Sequence, residues 1–342
     1  MDIIISHNVA LEVARRPYYH RLLTTAQRCR PDIPDRMPSP SEIEEARRAC
    51  PLLAGIEGPI GVLVSNHCAH HCSSSVISHI RKDPIPRGGL IEIAPGVRCA
   101  SPSLVALQLA PRLSRIELLM LLSELLGLYA ITDGEGGMGL IQRSRPIATP
   151  ETMEAFLANM QGTRCVSEVR RGLAFAPINA ASPMEAKLFI RAREPYARGG
   201  YAMGPVLLND PVQLEALTSQ MTTLKTRKPD LLFLGRDGSD KHGACLDYMG
   251  SYHDQESQVR RDTSRRNELI ANGFSPYEIY KEHYDDLDYL DALMARIREE
   301  TGQPRHKAPP SRAAWEAERR RDLWRELEDI DMKSWTQRTD LR

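Results

Sequence analysis

The pattern of hydrophobic and polar positions divides the chain into two stretches. In the first, short apolar runs rich in β-branched residues at Gly61 to Val64 and Leu90 to Ile93 predict strands, and Pro95-Gly96 turns the chain into a third at Val97 to Cys99. After Ser101-Pro102 the period becomes helical. Ser114 with Glu117 three residues on is a capping-box pattern opening RIELLMLLSELL, and Gly127 is placed to close that helix. Upstream, residues 9–16 and 40–50 read as short helices around the turn-rich RPDIPDRMPSPS, an arm or lid. Residues 1–150 thus predict an α+β adaptor domain. Thr149, Pro150 and Gly162 bound a helix read as the start of a connecting segment over 151–180.

The second stretch opens at Ser182-Pro183, with a helix predicted to about Glu194. Residues 230–234 and 244–248 predict adjacent strands joined by the turn Gly235-Arg236-Asp237-Gly238. A helix from His253 to Asn272 closed by Gly273, a strand over 274–280 and a helix over 285–298 complete a domain at 181–300. Residues 207–213 and 218–226 fit neither period. From Gly302 a proline-containing linker leads into a charged helix at 313–328, so 301–342 reads as a charged helical tail with Trp315 and Trp324 as packing anchors or partner contacts. No internal repeat is visible.

With 342 residues and 42% hydrophobic content, the chain is long enough for two cores. Lysine plus arginine number 45, as do aspartate plus glutamate, so no global positive field gathers nucleic acid and any such contact needs a local patch. The first residues do not resemble a signal peptide and no apolar run suits a membrane span, which predicts a cytoplasmic protein with no membrane partner. Seven cysteines, an odd number widely spread, predict reduced thiols.

Chemistry concentrates in the second stretch. Asp230 and Asp247 lie 17 residues apart, enough for a strand, a turn and a returning strand to set the two carboxylates side by side. Hard oxygen ligands suit Mg²⁺ or Mn²⁺, which can be positioned against a phosphodiester and lower the pKa of a bound water for its hydrolysis. Glu185 is a third acid on the upstream helix. A plainer reading makes Asp230 a turn residue, Asp247 an edge-strand acid and Glu185 a helix-capping residue. Met249, two residues after Asp247, stands where a nuclease would use lysine to hold water or offset phosphate charge. Arg260, Arg261, Arg265 and Arg266 against the single Asp262 form the phosphate-contact candidate, or else a solvated helix face. His-Cys-Ala-His-His-Cys at 67–72 carries zinc-type ligands, but the spacing fits poorly and zinc is disfavoured. Asp133-Gly134-Glu135-Gly136-Gly137 lacks the lysine of a phosphate loop and reads as a flexible turn.

The order Ser182-Pro183-x-Glu185, Lys228-Pro229-Asp230, Asp247-Tyr248-x-Gly250 with Tyr252-His253, then Asp262-x-x-Arg265-x-x-x-Leu269-x-x-x-Gly273, resembles the PD-(D/E)xK nuclease superfamily. The branch is the one related to very-short-patch repair endonucleases and to nuclease-like domains of abortive-infection antitoxin-type bacterial proteins. The match covers roughly 180–300, and GLIEIAPGVRCASPSLVALQLAPRLSRIELLMLLSELLG is similar to the antitoxin-like domain that often precedes it. The resemblance implies a restriction-endonuclease-like mixed sheet flanked by helices. It implies Mg²⁺-dependent DNA cleavage or nicking in phage defence or on mobile DNA, with Glu185, Asp230 and Asp247 on the metal and His253 assisting proton transfer. The departure at Met249 opens an alternative, a catalytically inactive nuclease-fold regulator that binds DNA or a protein partner. Lys187, Lys225 and Lys228 are the candidates to replace the absent lysine.

Overall fold

A computed structural model describes residues 2–23, 32–66, 73–134, 137–215, 225–250 and 266–337. The chain divides into two compact units, residues 1–176 with 331–342, and residues 177–330. Both are mixed α/β, and no helix among the described residues is long and apolar enough to cross a membrane.

The first unit contains β1 (Ile3–Ile5), α1 (His7–Arg15), α2 (Tyr19–Leu22), α3 (Pro40–Ala49), β2 (Ile60–Val64), β3 (Val76–Ile80), β4 (Leu90–Ala94) and β5 (Val97–Ala100). Then come α4 (Pro102–Leu109), α5 (Arg115–Leu126), β6 (Tyr129–Gly134), β7 (Gly137–Gln142), α6 (Pro150–Ala158) and α7 (Val166–Leu173). The sheet runs β3-β2-β1-β5-β4, with β1 parallel to β5 and antiparallel to β2. The expectation of an N-terminal arm is therefore corrected. Ile3, Ile4 and Ile5 are at most 1% exposed and form the central strand, covered on both faces, which is why they show no polar alternation. Ser114 and Glu117 cap α5 reciprocally, and the helix is apolar nearly all round because it is buried nearly all round. Residues 129–134 and 137–142 pair as the antiparallel strands β6 and β7, where only a flexible turn over 133–137 was expected. The expected connector also changes place. Helices α6 and α7 pack on the first unit, and a Cβ at Gly172 would stand 2.8 Å from the Leu122 side chain, so glycine lets α7 approach α5.

Two polar arrangements are locked inside this unit. Arg15 reaches Glu124 through two bonds of 2.8 Å, and Glu124 also accepts the Ile131 N–H at 3.0 Å. His7 opens α1 with φ +53°, and its ring stacks on His79 at 3.6 Å between centroids. Its Nδ1 lies 3.0 Å from Ser6 Oγ. Burial, then the charges on His79 and Arg112, holds the His7 pKa well below its usual 6.5.

The second unit contains α8 (Pro183–Arg193), β8 (Val206–Leu208), β9 (Val212–Leu214), β10 (Lys225–Arg227), β11 (Leu231–Leu234) and β12 (Gly243–Tyr248). After helical residues 266–271 come β13 (Phe274–Ile279), α9 (Lys281–Asp285), α10 (Leu287–Glu300) and α11 (Pro310–Glu328). Its main sheet runs β13-β12-β11-β8, antiparallel except for the parallel β12-β13 pair, and β9-β10 is a separate hairpin. The expectation of a tail from 301 is corrected: α11 is a wall of this unit. Leu323 and Leu327 are buried, Trp324 Nε1 donates to Asp285 at 3.1 Å, and the Arg319 carbonyl passes where a Cβ on Gly199 would collide at 2.1 Å. Gly199 also has φ +83°, so the site demands glycine twice over.

Candidate functional site

The site is assembled at one end of the main sheet of the second unit. Register sets Leu231 opposite Leu246, so Asp230, one residue before β11, comes level with Asp247 on β12. Each carboxylate then bonds the other strand's backbone. The Asp230 N–H donates to Asp247 Oδ1 at 3.0 Å, and the Tyr248 N–H donates to Asp230 Oδ2 at 2.7 Å. This double clasp fixes both side chains at the strand ends in a half-buried position.

Glu185 joins them from the first turn of α8. The Ser182 hydroxyl caps the helix by accepting the Glu185 N–H at 3.2 Å and donates back to Glu185 Oε1 at 2.9 Å. Glu185 Oε2 accepts the Ala181 N–H at 2.8 Å and Asn209 Nδ2 at 2.6 Å. Asn209 sits at the end of β8 with φ +51°, where its own N–H donates to the Asp230 carbonyl at 3.2 Å. It therefore ties Glu185 to the strand that carries Asp230. Burial raises the Glu185 pKa, the hydrogen bonds from Ala181, Asn209 and Ser182 oppose that, and the neighbouring Asp247 charge raises it further. This one carboxylate thus caps α8 and feels the charge of Asp247.

Asn209 carried no assigned role in the sequence, and Glu278 was missed altogether. The signal for Asn209 was an asparagine ending a strand, a residue type that tolerates left-handed backbone. Glu278 is registered beside Asp247 across the parallel β12-β13 pair and is exposed. No motif precedes it.

The lysine question receives a partial answer. Met249 continues the pairing of β12 by donating its N–H to the Ile279 carbonyl at 2.8 Å, and its thioether is no base. Lys187 is committed elsewhere, with Nζ 2.9 Å from Glu328. Lys228 is exposed.

No family model, curated protein or solved structure matches this chain. The site therefore rests on its own geometry. Among the described residues no three His, Cys, Asp or Glu side chains form a ready metal cage. His253, Arg260, Arg261 and Arg265, and the 67–72 cluster considered for zinc, lie outside the described residues, while Arg266 is exposed. The described cysteines Cys50, Cys99, Cys165 and Cys245 are free thiols.

Proposed function

We propose that the second unit is a divalent-cation-dependent phosphodiester hydrolase acting on DNA, with a restriction-endonuclease-like arrangement of its sheet. The observation that carries this reading is the mutual clasp of Asp230 and Asp247, with Asn209 tying Glu185 to the Asp230 backbone near enough for the Asp247 charge to act on it. Two carboxylates held at adjacent strand ends, with a third carrying a raised pKa, form a hard oxygen donor set whose like charges a cation would relieve. Glu185, Asp230 and Asp247 would hold Mg²⁺ or Mn²⁺, which supplies Lewis-acid neutralisation of phosphate charge when bound. The chain's own part is to hold these carboxylates in place. Ser182 and Asn209 orient Glu185, and the backbone N–H groups of Asp230 and Tyr248 orient the aspartates.

Incubation of the protein and its Asp247→Asn variant with supercoiled plasmid and Mn²⁺ or Mg²⁺ tests the reading. Metal-dependent nicking lost in the variant is expected. A second reading, an inactive scaffold that binds DNA or a protein partner, is favoured by Met249 and by the commitment of Lys187 to Glu328. Metal binding without nicking by the native protein would select it.

A further inference from the structure

The second unit holds a cavity of about 550 Å³ that the acidic cluster does not use. Its lining begins with Tyr196, three residues past the end of α8, whereas Glu185 is in that helix's first turn, eight residues or roughly 12 Å of helix before Arg193. The cavity is built from Tyr196 and Tyr201, one side of α10, the segment 305–307, and Arg320 on α11.

Its charge balance departs from that of the chain. Arg296, Arg298, Arg305, Lys307 and Arg320 line it against Asp291 and Glu299, whereas the whole sequence is neutral. The cations are not all spent on those acids. Arg320 pairs with Asp291 at 2.8 Å, Arg305 with Glu299 at 2.5 Å, and Arg296 with Glu300, outside the lining, at 2.7 Å. Arg298 instead donates to the backbone carbonyls of Tyr201 and Pro304, and Lys307 is exposed with no ion pair among the described residues. An excess of guanidinium and ammonium groups over carboxylates around a concavity suits an anion with several acceptor oxygens, and the planar arginine fork matches phosphate.

The rest of the lining requires more than a bare ion. Ala292, Met294 and Ala295 give an apolar patch beside the tyrosines. His306 stacks on Tyr196 at 3.6 Å and is held by Glu316 at 2.7 Å, which fixes the aromatic wall. The Tyr201 hydroxyl donates to Asp291 Oδ1 at 2.7 Å while Arg320 holds Oδ2, so this carboxylate fixes a tyrosine and a guanidinium in the cavity wall. The volume falls in the range of small-molecule pockets and exceeds what a phosphate fills.

We propose that this cavity binds the phosphate of a nucleotide, either free or at the end of a nucleic-acid strand. The proposal stands apart from metal-dependent cleavage and holds whether or not the acidic cluster is catalytic.

The test uses the full chain in EDTA, so that no cation occupies the acidic cluster. Calorimetry measures binding of a nucleoside 5′-monophosphate and of inorganic phosphate, and fluorescence anisotropy measures a short single strand with and without a 5′-phosphate. The same titrations are run on the double variant Arg305→Glu with Lys307→Glu, both exposed and without a packing role, and on Arg321→Glu, an exposed residue of α11 outside the cavity. The native protein should bind the mononucleotide or the 5′-phosphorylated strand. The double variant should lose on the order of tenfold or more in affinity while Arg321→Glu binds as the native protein does. Binding of the mononucleotide identifies a free nucleotide as ligand, and binding of the phosphorylated strand alone identifies a strand end. Absence of binding to the native protein, equal affinity in the double variant, or inorganic phosphate binding as tightly as the nucleotide would each overturn the proposal.

Discussion

Glu124 in the first unit and Glu185 in the second are both buried glutamates, at 0% and 6% exposure, yet they are satisfied by opposite means. Glu124 is neutralised by the guanidinium of Arg15 and helped by one backbone N–H. Glu185 has only neutral donors, the Ala181 N–H, the Ser182 hydroxyl and the Asn209 amide, and a second carboxylate, Asp247, raises its pKa. A buried charge that serves the fold is paired with its opposite. A buried charge left to neutral donors beside another acid is stabilised enough to persist and still favours a cation.

The largest effect expected from this contrast follows from Arg15→Met. It strands Glu124 without its counter-ion and should destabilise the first unit by about 3–5 kcal/mol in urea unfolding. Glu185→Ala removes the carboxylate as well as its bonds, so the metal-free protein should lose only about 1–3 kcal/mol from the unsatisfied donors. A larger loss from Glu185→Ala than from Arg15→Met would break the contrast. Mn²⁺ at a hundred times its dissociation constant should raise native stability by about 2.7 kcal/mol and leave Glu185→Ala unchanged.

The pH dependences of the two units sharpen the same point. The folded pKa of Glu185 is raised, so its contribution is fully present below the unfolded value near 4.5 and is lost as pH rises through the folded value. Acidification from neutrality should therefore stabilise the metal-free second unit, and saturation with Mn²⁺ should abolish that gain in thermal melts. In the first unit His7 has a depressed pKa. The unfolded chain takes up a proton near pH 6.5 that the folded unit refuses, so stability falls as pH drops below about 6.5. His7→Asn, which tolerates the left-handed backbone, should flatten that fall.

The smallest effect belongs to Glu42, which is fixed at the start of α3. Its pKa is held down to about 2 by Arg36 first and then by the Ser39 backbone, so its contribution is present above about 4.5 and fades as pH falls toward 2. Arg36→Ala should remove less than about 1 kcal/mol at neutral pH, because that guanidinium is 65% exposed.

What the sequence disclosed follows the strength of local signals. Helix α5 was legible to the residue because a capping box and a glycine mark its ends. Strands β11 and β12 were legible because apolar runs flank a turn with two glycines, and with them the adjacency of Asp230 and Asp247. The three-residue strands β1, β8, β9 and β10 carry too few positions for any period to show. Tertiary packing decided the rest. Helix α11 looks like a charged tail because its apolar residues, Leu323 and Leu327, are sparse, and only the folded chain shows them buried beneath it. The joining of Asn209 to Glu185 spans 24 residues and depends on where β8 ends, which no local pattern reveals.

Titration of Mn²⁺ by calorimetry into the native protein and its Asp230→Ala and Glu185→Ala variants tests the central claim, that these acids form one divalent-cation site. Saturable binding by the native protein, lost in both variants, is the predicted result. No binding by the native protein, or binding of equal strength in both variants, would contradict it.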